Sequence, residues 1–143
     1  MSHPNFAQLV PNAYRALSGV EAYLRDCGLE KTIIELVKMR ASQINGCAFC
    51  LDMHSRDARK AGETEQRLYL LNAWREAPLY TERERAALAL TEHLTLLPTH
   101  DARPAEVERL FSQVEIANLI ALIGMINLWN RVAIGGGFHL EAA

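Results

Sequence analysis

Four residues near the middle of the chain carry side chains that can act together in redox or metal chemistry. Cys47 and Cys50 form a Cys-x-x-Cys pair, His54 follows four positions later, and Glu35 precedes the pair by twelve positions. Two thiols, an imidazole and a carboxylate can cycle between dithiol and disulfide with a proton carrier beside them, or they can bind a metal ion. The rest of the sequence favours the first of these uses.

The spacing of the two cysteines and the histidine places them on one face of a helix. Cys47, Cys50 and His54 stand at i, i+3 and i+7, which fall within about 60° of one another at 3.6 residues per turn. Gly46 directly precedes the pair, and glycine readily ends a helix in the left-handed conformation. We therefore predict that a new helix begins near Cys47.

A helix N-terminus favours the chemistry of a reactive thiol. Its unpaired N–H groups and its dipole stabilise an anion, and Cys-x-x-Cys pairs in such positions have lowered thiol pKa values. The imidazole of His54 can take or return the thiol proton, and Glu35 can orient that imidazole if the preceding helix folds back against it. Two thiols at this spacing can then close a disulfide. The residues therefore predict a dithiol–disulfide redox centre.

Three other interpretations of these residues agree less well with the sequence. Structural zinc sites pair two ligand-bearing turns, and the sequence has no second Cys-x-x-Cys or His-x-x-x-His to supply the other half. Covalent haem attachment needs histidine directly after the second cysteine, and position 51 is Leu51. The third interpretation is simple packing of two cysteines and a histidine on a buried helix face. Glu35 and the helix N-terminus make it less favourable than the redox centre.

Composition and charge describe an ordinary globular chain. Half of the 143 residues are hydrophobic and 22% are charged, which suits one folded domain spanning residues 1–143, with residues 1–10 as an extended lead-in. The 15 basic and 17 acidic residues are interspersed, so nothing in the sequence predicts a nucleic-acid partner.

The cellular context is expected to be the cytoplasm. The N-terminal residues show no signal peptide, and the apolar stretch at residues 119–126 is too short to span a bilayer, so we expect no membrane association. In a reducing compartment three cysteines do not form a structural disulfide framework, and a close pair is more often catalytic or metal-binding.

The apolar periodicity predicts an all-α fold of about six to seven helices. No stretch alternates in the manner of a β-strand. The helices are expected at residues 11–26, 30–45, 47–62, 64–78, 81–97, 104–111 and 115–132. Asn127, Asn130 and Arg131 lie on the otherwise apolar last helix and need hydrogen-bond partners. We expect those partners across a subunit interface, with the cysteine site as the alternative.

The segment that carries these four residues resembles a known family. Glu35, eleven intervening residues, Cys47-x-x-Cys50 and three residues before His54 match the E-x11-C-x2-C-x3-H signature of AhpD-like alkylhydroperoxidases, members of the carboxymuconolactone decarboxylase superfamily. The flanking sequence ELVKMRASQINGCAFCLDMHSRDARKAGE and the later segment NLWNR agree with it. The resemblance covers nearly the whole chain and is closer to the small single-domain members than to the two-unit ones.

This resemblance implies an all-helical AhpD-like fold and a peroxidase mechanism. By position, Cys50 is the peroxidatic cysteine, Cys47 resolves its sulfenic acid to a disulfide, and His54 with Glu35 forms the proton relay. Helix geometry agrees with this assignment only in part: His54 lies nearer Cys50, whereas the helix dipole favours the more N-terminal Cys47 as the thiolate. No bound cofactor and no metal are expected.

The resemblance also implies the partners. The substrate is an organic hydroperoxide or hydrogen peroxide, the reductant is an external dithiol (lipoamide on a lipoyl domain, or a thioredoxin-like protein), and the assembly is a trimer or hexamer. Some members have a further relay histidine between the two cysteines, where this chain has Ala48 and Phe49. That departure keeps a second hypothesis open, a non-catalytic redox or stress sensor. A decarboxylase ranks last, because those superfamily members lack the cysteine pair.

Overall fold

The computed structural model describes residues 3–140, and all regular structure in that range is helical. It comprises eight α-helices and one 3₁₀ helix: α1 (Phe6–Leu9), α2 (Pro11–Arg25), α3 (Lys31–Asn45), α4 (Ala48–Lys60), α5 (Glu65–Tyr69), the 3₁₀ helix (Leu71–Ala73), α6 (Glu82–Leu96), α7 (Ala105–Leu110) and α8 (Gln113–Gly135). The predicted all-α class is therefore confirmed, with slightly more helices than the six to seven expected.

The lead-in predicted as extended contains one short helix. The side chain of Asn5 accepts a hydrogen bond from the backbone N–H of Gln8 at 3.1 Å, which caps the first turn of α1. Pro11 then begins α2, where its missing N–H costs nothing. The prediction missed α1 because a four-residue helix has no periodicity to detect.

The single helix predicted over residues 64–78 is wrong. The chain instead forms α5, the 3₁₀ helix and an irregular segment that continues to the start of α6. The guanidinium of Arg85 donates hydrogen bonds to the backbone carbonyls of Trp74, Arg75 and Ala77. Because a distant side chain satisfies these carbonyls, the segment does not need helical hydrogen bonds.

Helix α3 is the centre of the packing and carries Glu35. It contacts α4, α6 and α8, and six of its apolar residues are buried. These are Ile33, Ile34, Leu36, Val37, Met39 and Ala41. Since these residues point in several directions around the helix, α3 has core on more than one side, and α4 is held firmly against it.

Helix α8 is long and apolar, and its packing explains its composition. By length and composition alone its 23 residues could cross a membrane, which corrects the expectation that this apolar region is too short. Half of its most apolar 18-residue window, however, is buried inside the fold, where the helix packs against α3, α6 and α2, and its buried face includes Asn118 and Asn130. This is the packing of a core helix.

Candidate active site

The cysteine pair lies at the start of α4, as predicted. Gly46 ends α3 in the left-handed conformation, with φ of 67°. Cys47 is the N-cap of α4 and its sulfur accepts a hydrogen bond from the backbone N–H of Cys50 at 3.2 Å. A sulfur in this position faces the positive end of the helix dipole, which stabilises a thiolate there.

The two cysteines are joined in a disulfide. Their Cα atoms are 5.3 Å apart, within the range that a disulfide spans without movement of the backbone. Cys27, the third cysteine, is free and packs beside the main core away from the pair. The site can therefore close a disulfide in the folded state.

Helices α3 and α4 bring Glu35 to His54, as the sequence predicted on the condition that the preceding helix folds back. His54 Nδ1 lies 4.0 Å from Glu35 Oε2, and both side chains are largely buried. Neither of these two atoms has a hydrogen-bond partner within residues 3–140. Two buried polar atoms that face each other beyond hydrogen-bond distance are unusual, because buried polar groups are nearly always paired.

Burial sets the protonation of both groups. Loss of solvation, with a smaller effect of the positive charge of Lys38, lowers the pKa of His54 to about 4. Burial likewise raises the pKa of Glu35. The 4.0 Å separation is within ion-pair range, but an imidazole with this pKa is uncharged at neutral pH. The pair is therefore a neutral base beside a carboxyl group that holds its proton more tightly than usual.

An aromatic contact lies beside the disulfide. Cys47 and Cys50 are only 1% and 2% exposed, and they pack with Ala133 and Phe49. The ring of Phe49 meets that of Phe138 edge to face, with ring centroids 5.2 Å apart. Phe49 therefore packs on the buried cysteine pair, and Phe138 packs on Phe49.

Phe138 was missed by sequence reasoning, although a local signal was present. The three glycines at residues 135–137 end α8 in a Schellman motif, in which the N–H of Phe138 donates to the carbonyl of Ala133 at 2.9 Å. Gly137 has φ of 63°, a conformation that costs glycine little. This turn directs the chain back towards the start of α4.

The asparagines of α8 find their partners inside the chain, and the expected subunit-interface bonding is not needed to satisfy them. Asn45 Nδ2 donates to the side-chain oxygens of Asn127 and Asn130, each at 2.9 Å. Asn130 in turn donates to Ser42 Oγ at 2.9 Å, and Arg131 bonds to Asn127. This network fixes the last turn of α3 to α8 and so holds the Asn45–Gly46 turn that presents Cys47.

Potential metal ligands and clefts among residues 3–140 bear on what the site can hold. No cluster of three or more His, Cys, Asp or Glu side chains that could hold a metal ion is assembled there. A cleft of about 730 Å³ is lined by residues of α6 and α7 together with Trp74 and Arg75, and none of the four site residues lines it.

Comparison with known proteins identifies the family. The model of the carboxymuconolactone decarboxylase family matches residues 8–93, more than half of the chain and including all four site residues. The chain belongs to the carboxymuconolactone decarboxylase family. Within it this is an AhpD-like protein: a 41-residue segment is 44% identical to alkyl hydroperoxide reductase AhpD of Hyphomonas neptunium, covering 29% of this chain and 23% of that one.

Two relatives match this AhpD-like protein over nearly its full length. The uncharacterized protein YdfG of Bacillus subtilis is 41% identical over 136 residues, which is 93% of this chain and 92% of YdfG. The crystal structure of ATU0492 from Agrobacterium tumefaciens covers all of both chains with a TM-score of 0.91 and 39% identity. ATU0492 is described as a protein of unknown function and a candidate antioxidant defence protein, AhpD. The predicted AhpD-like fold is thereby confirmed.

Proposed function

We propose that the protein is a thiol-dependent peroxidase that reduces organic hydroperoxides or hydrogen peroxide through a Cys47–Cys50 dithiol–disulfide cycle. The observation that carries this proposal is the cysteine pair closed as a disulfide at the start of α4, with a neutral imidazole one helical turn beyond Cys50. The similarity to AhpD in the segment of 41 residues gives independent support.

Two steps oxidise the cysteine pair, and a third step reduces it again. The Cys50 thiol gives its proton to His54, and the thiolate attacks the O–O bond of ROOH to form Cys50 sulfenic acid and an alkoxide, which takes the proton and leaves as ROH. The Cys47 thiol then attacks the sulfenic sulfur, forms the disulfide and releases water. Glu35 exchanges protons with His54. An external dithiol reduces the disulfide and completes the cycle.

Cys50 is proposed as the attacking cysteine because His54 lies one turn further along the same helix, where side chains four residues apart meet. The N-cap position of Cys47 argues for the opposite assignment. We give the imidazole more weight, because a base that removes the thiol proton can also return it to the leaving alkoxide, whereas a helix dipole only stabilises the charge.

The proposed reductant is a dithiol such as lipoamide on a lipoyl domain or a thioredoxin-like protein, and the proposed compartment is the cytoplasm. Both cysteines are buried, and Phe49, which packs with them, contacts Phe138. A slim apolar dithiol arm such as dihydrolipoamide suits a buried disulfide with aromatic neighbours. No bound cofactor is required by this cycle.

We also propose that the chain forms homo-oligomers, a trimer or a hexamer. Helix α8 leaves apolar residues on the surface of this chain, among them Ile120, Ala121 and Gly124.

Light scattering of wild-type protein is expected to give three or six times the mass of one chain. An Ala121→Glu variant is expected to shift the mass towards one chain, because a carboxylate in an apolar interface is costly. Ala105→Glu, on exposed α7, is the matched control, and a wild-type monomer would refute the proposal.

The experiment that tests the function uses mass spectrometry of the fully reduced protein. After one equivalent of cumene hydroperoxide we expect the loss of two hydrogens, mapped to a Cys47–Cys50 disulfide, and repeated turnover with dihydrolipoamide. The control is reduced protein kept under argon without hydroperoxide, because disulfide formation is expected only when hydroperoxide is added. Protein that stays reduced after hydroperoxide treatment would rule out the peroxidase.

A redox or stress sensor is the second candidate. It is favoured by the burial of both sulfurs and by Phe49 in the interval where some relatives have a relay histidine. A sensor would form the same disulfide but turn over slowly, and its oligomeric mass would change between the dithiol and disulfide states.

A further inference from the structure

The turn that carries Cys47 is a Schellman motif at the end of α3. The N–H of Gly46 donates to the carbonyl of Gln43 at 3.3 Å, and the N–H of Cys47 donates to the carbonyl of Ser42 at 3.1 Å. The backbone of Cys47 is therefore bonded directly to Ser42. A displacement of Ser42 moves Cys47 with it, whereas Cys50 belongs to the first turn of α4.

One side chain of α8 bonds to both ends of this turn. The amide nitrogen of Asn130 donates to Ser42 Oγ at 2.9 Å, and its amide oxygen accepts from Asn45 Nδ2 at 2.9 Å. Ser42 Oγ in turn donates to the carbonyl of Lys38 at 2.7 Å. Asn130 and Ser42 are fully buried, so the bond between them is shielded from water. The Schellman motif is thus fixed to α8 at its first residue and at the residue before its glycine.

The same helix also contacts the cysteines themselves. Ala133 stands three residues after Asn130, a spacing at which helical side chains are neighbours, and it packs in one buried cluster with Cys47 and Cys50. Helix α8 therefore contacts the cysteine pair through Ala133 and holds the turn before it through Asn130. A change at Asn130 acts within one helical turn of the disulfide.

Stability alone does not account for a buried asparagine network at this point. Earlier on both helices the junction of α3 with α8 is apolar, and Ile33, Val37, Leu119 and Ile123 belong to one core cluster. Apolar groups of the same shape can replace a bonded pair with little loss of stability. Hydrogen bonds differ from apolar contacts in having a direction, so a bonded network fixes one arrangement of the backbone. The polar residues occur where the position of the chain matters for the cysteine pair.

We propose that Asn130 is a positioning residue of the redox site, which sets the balance between the dithiol and disulfide forms of Cys47 and Cys50 by holding the turn from Ser42 to Cys47. Two thiols that the fold holds close together form a disulfide more readily, because their ordering is already present. When the turn is released, the dithiol form gains freedom that the disulfide form lacks. The equilibrium then moves towards the dithiol. Only the effect on the resolving step rests on the proposed peroxidase cycle.

The test is the equilibrium of the pair with dithiothreitol, in which the protein disulfide is reduced to the dithiol while dithiothreitol is oxidised to its cyclic disulfide. Alkylation and peptide mass mapping give the oxidised fraction of Cys47 and Cys50 over graded buffer ratios. Asn130→Leu has a similar branched shape but can make neither bond. It is expected to shift the equilibrium at least about tenfold towards the dithiol.

Asn118→Leu is the matched control. Asn118 is also buried on α8, but its side chain accepts a hydrogen bond from Tyr23 of α2 at 2.8 Å. Because it has no contact with the turn, the equilibrium of this variant is expected to stay within about twofold of wild type. An equal shift in both leucine variants would show a general loosening of α8 and would overturn the proposal. An unchanged equilibrium in Asn130→Leu, or a shift towards the disulfide, would overturn it as well.

Ser42→Ala tests the same bond with a smaller change in the core. It leaves the bond between Asn130 and Asn45 in place, so a smaller shift towards the dithiol is expected. The double variant is expected to match Asn130→Leu alone, because both substitutions remove one interaction. A wild-type equilibrium in Ser42→Ala, or additive shifts in the double variant, would contradict a role through Ser42.

This equilibrium needs no hydroperoxide, so its result is independent of the proposed function. A shifted equilibrium in a protein that never reacts with hydroperoxide would support the role of Asn130 and refute the peroxidase. In an active peroxidase, Asn130→Leu is expected to slow the resolving step, so that dimedone captures more of the Cys50 sulfenic acid. The first step is expected to stay within about twofold of wild type, because Cys50 and His54 are both carried by α4.

Discussion

Replacement of Cys50 by serine is expected to reduce hydroperoxide-dependent turnover by at least about three orders of magnitude, the scale seen when an enzyme loses its nucleophile. A serine hydroxyl does not ionise at neutral pH and cannot take the place of a thiolate in attack on an O–O bond. Turnover with cumene hydroperoxide and dihydrolipoamide measures the loss. Cys27→Ser, which alters the free cysteine outside the site, is expected to keep wild-type activity.

Replacement of Cys47 by serine separates the roles of the two cysteines. This variant keeps the proposed nucleophile but cannot close the disulfide, so the sulfenic acid of Cys50 persists and can be captured by a dimedone probe. Capture in Cys50→Ser but not in Cys47→Ser would reverse the assignment and would show that the helix N-cap outweighs the imidazole. Capture in neither variant would refute the peroxidase cycle.

The second large effect is expected at His54. His54→Gln is expected to slow the reaction with hydroperoxide about 10²–10⁴-fold at neutral pH, the usual contribution of a general base. Because the wild-type imidazole stays neutral down to its pKa of about 4, the base is present over the whole range above pH 5. In the variant the thiol has to ionise without this base, so the rate of its reaction with hydroperoxide is expected to rise towards the wild-type rate as the pH is raised. Stopped-flow measurement of disulfide formation against pH checks this.

His100→Gln, in the exposed loop before α7, is the matched control and is expected to follow the wild-type profile. A His54→Gln variant with wild-type rates at neutral pH would remove His54 from the relay.

The burial of His54 also has a consequence for stability. The unfolded chain takes up a proton on this residue near pH 6.5, whereas the folded chain does so only near pH 4. The free energy of unfolding therefore falls as the pH is lowered through that window, and the variant is expected to lose this part of the pH dependence.

Most helices could be predicted because their ends are set by short-range signals. Thr81 with Glu84 forms the predicted capping box of α6, and the glycine after Asn45 ends α3. The segment at residues 64–78 could not be predicted. Its apolar residues have helical spacing, but the guanidinium of Arg85 satisfies its carbonyls from a later helix, which no local pattern reveals.

By itself the sequence determined the chemistry that the start of α4 can offer. The positions of Cys47, Cys50 and His54 along one helix follow from 3.6 residues per turn, and Gly46 fixes where that helix begins, so both are local properties. The family signature also lies in the sequence, since it consists only of residue types at set intervals.

Only the tertiary structure decided how that chemistry is tuned. The packing of α3 on α4 brings Glu35 within 4.0 Å of His54, and their burial, not their spacing in the chain, moves the two pKa values. The bonds of Asn130 to Ser42 and Asn45 depend equally on contacts between residues distant in the sequence. Desolvation and charge interactions depend on what surrounds a group in space, and that environment exists only once the helices have packed.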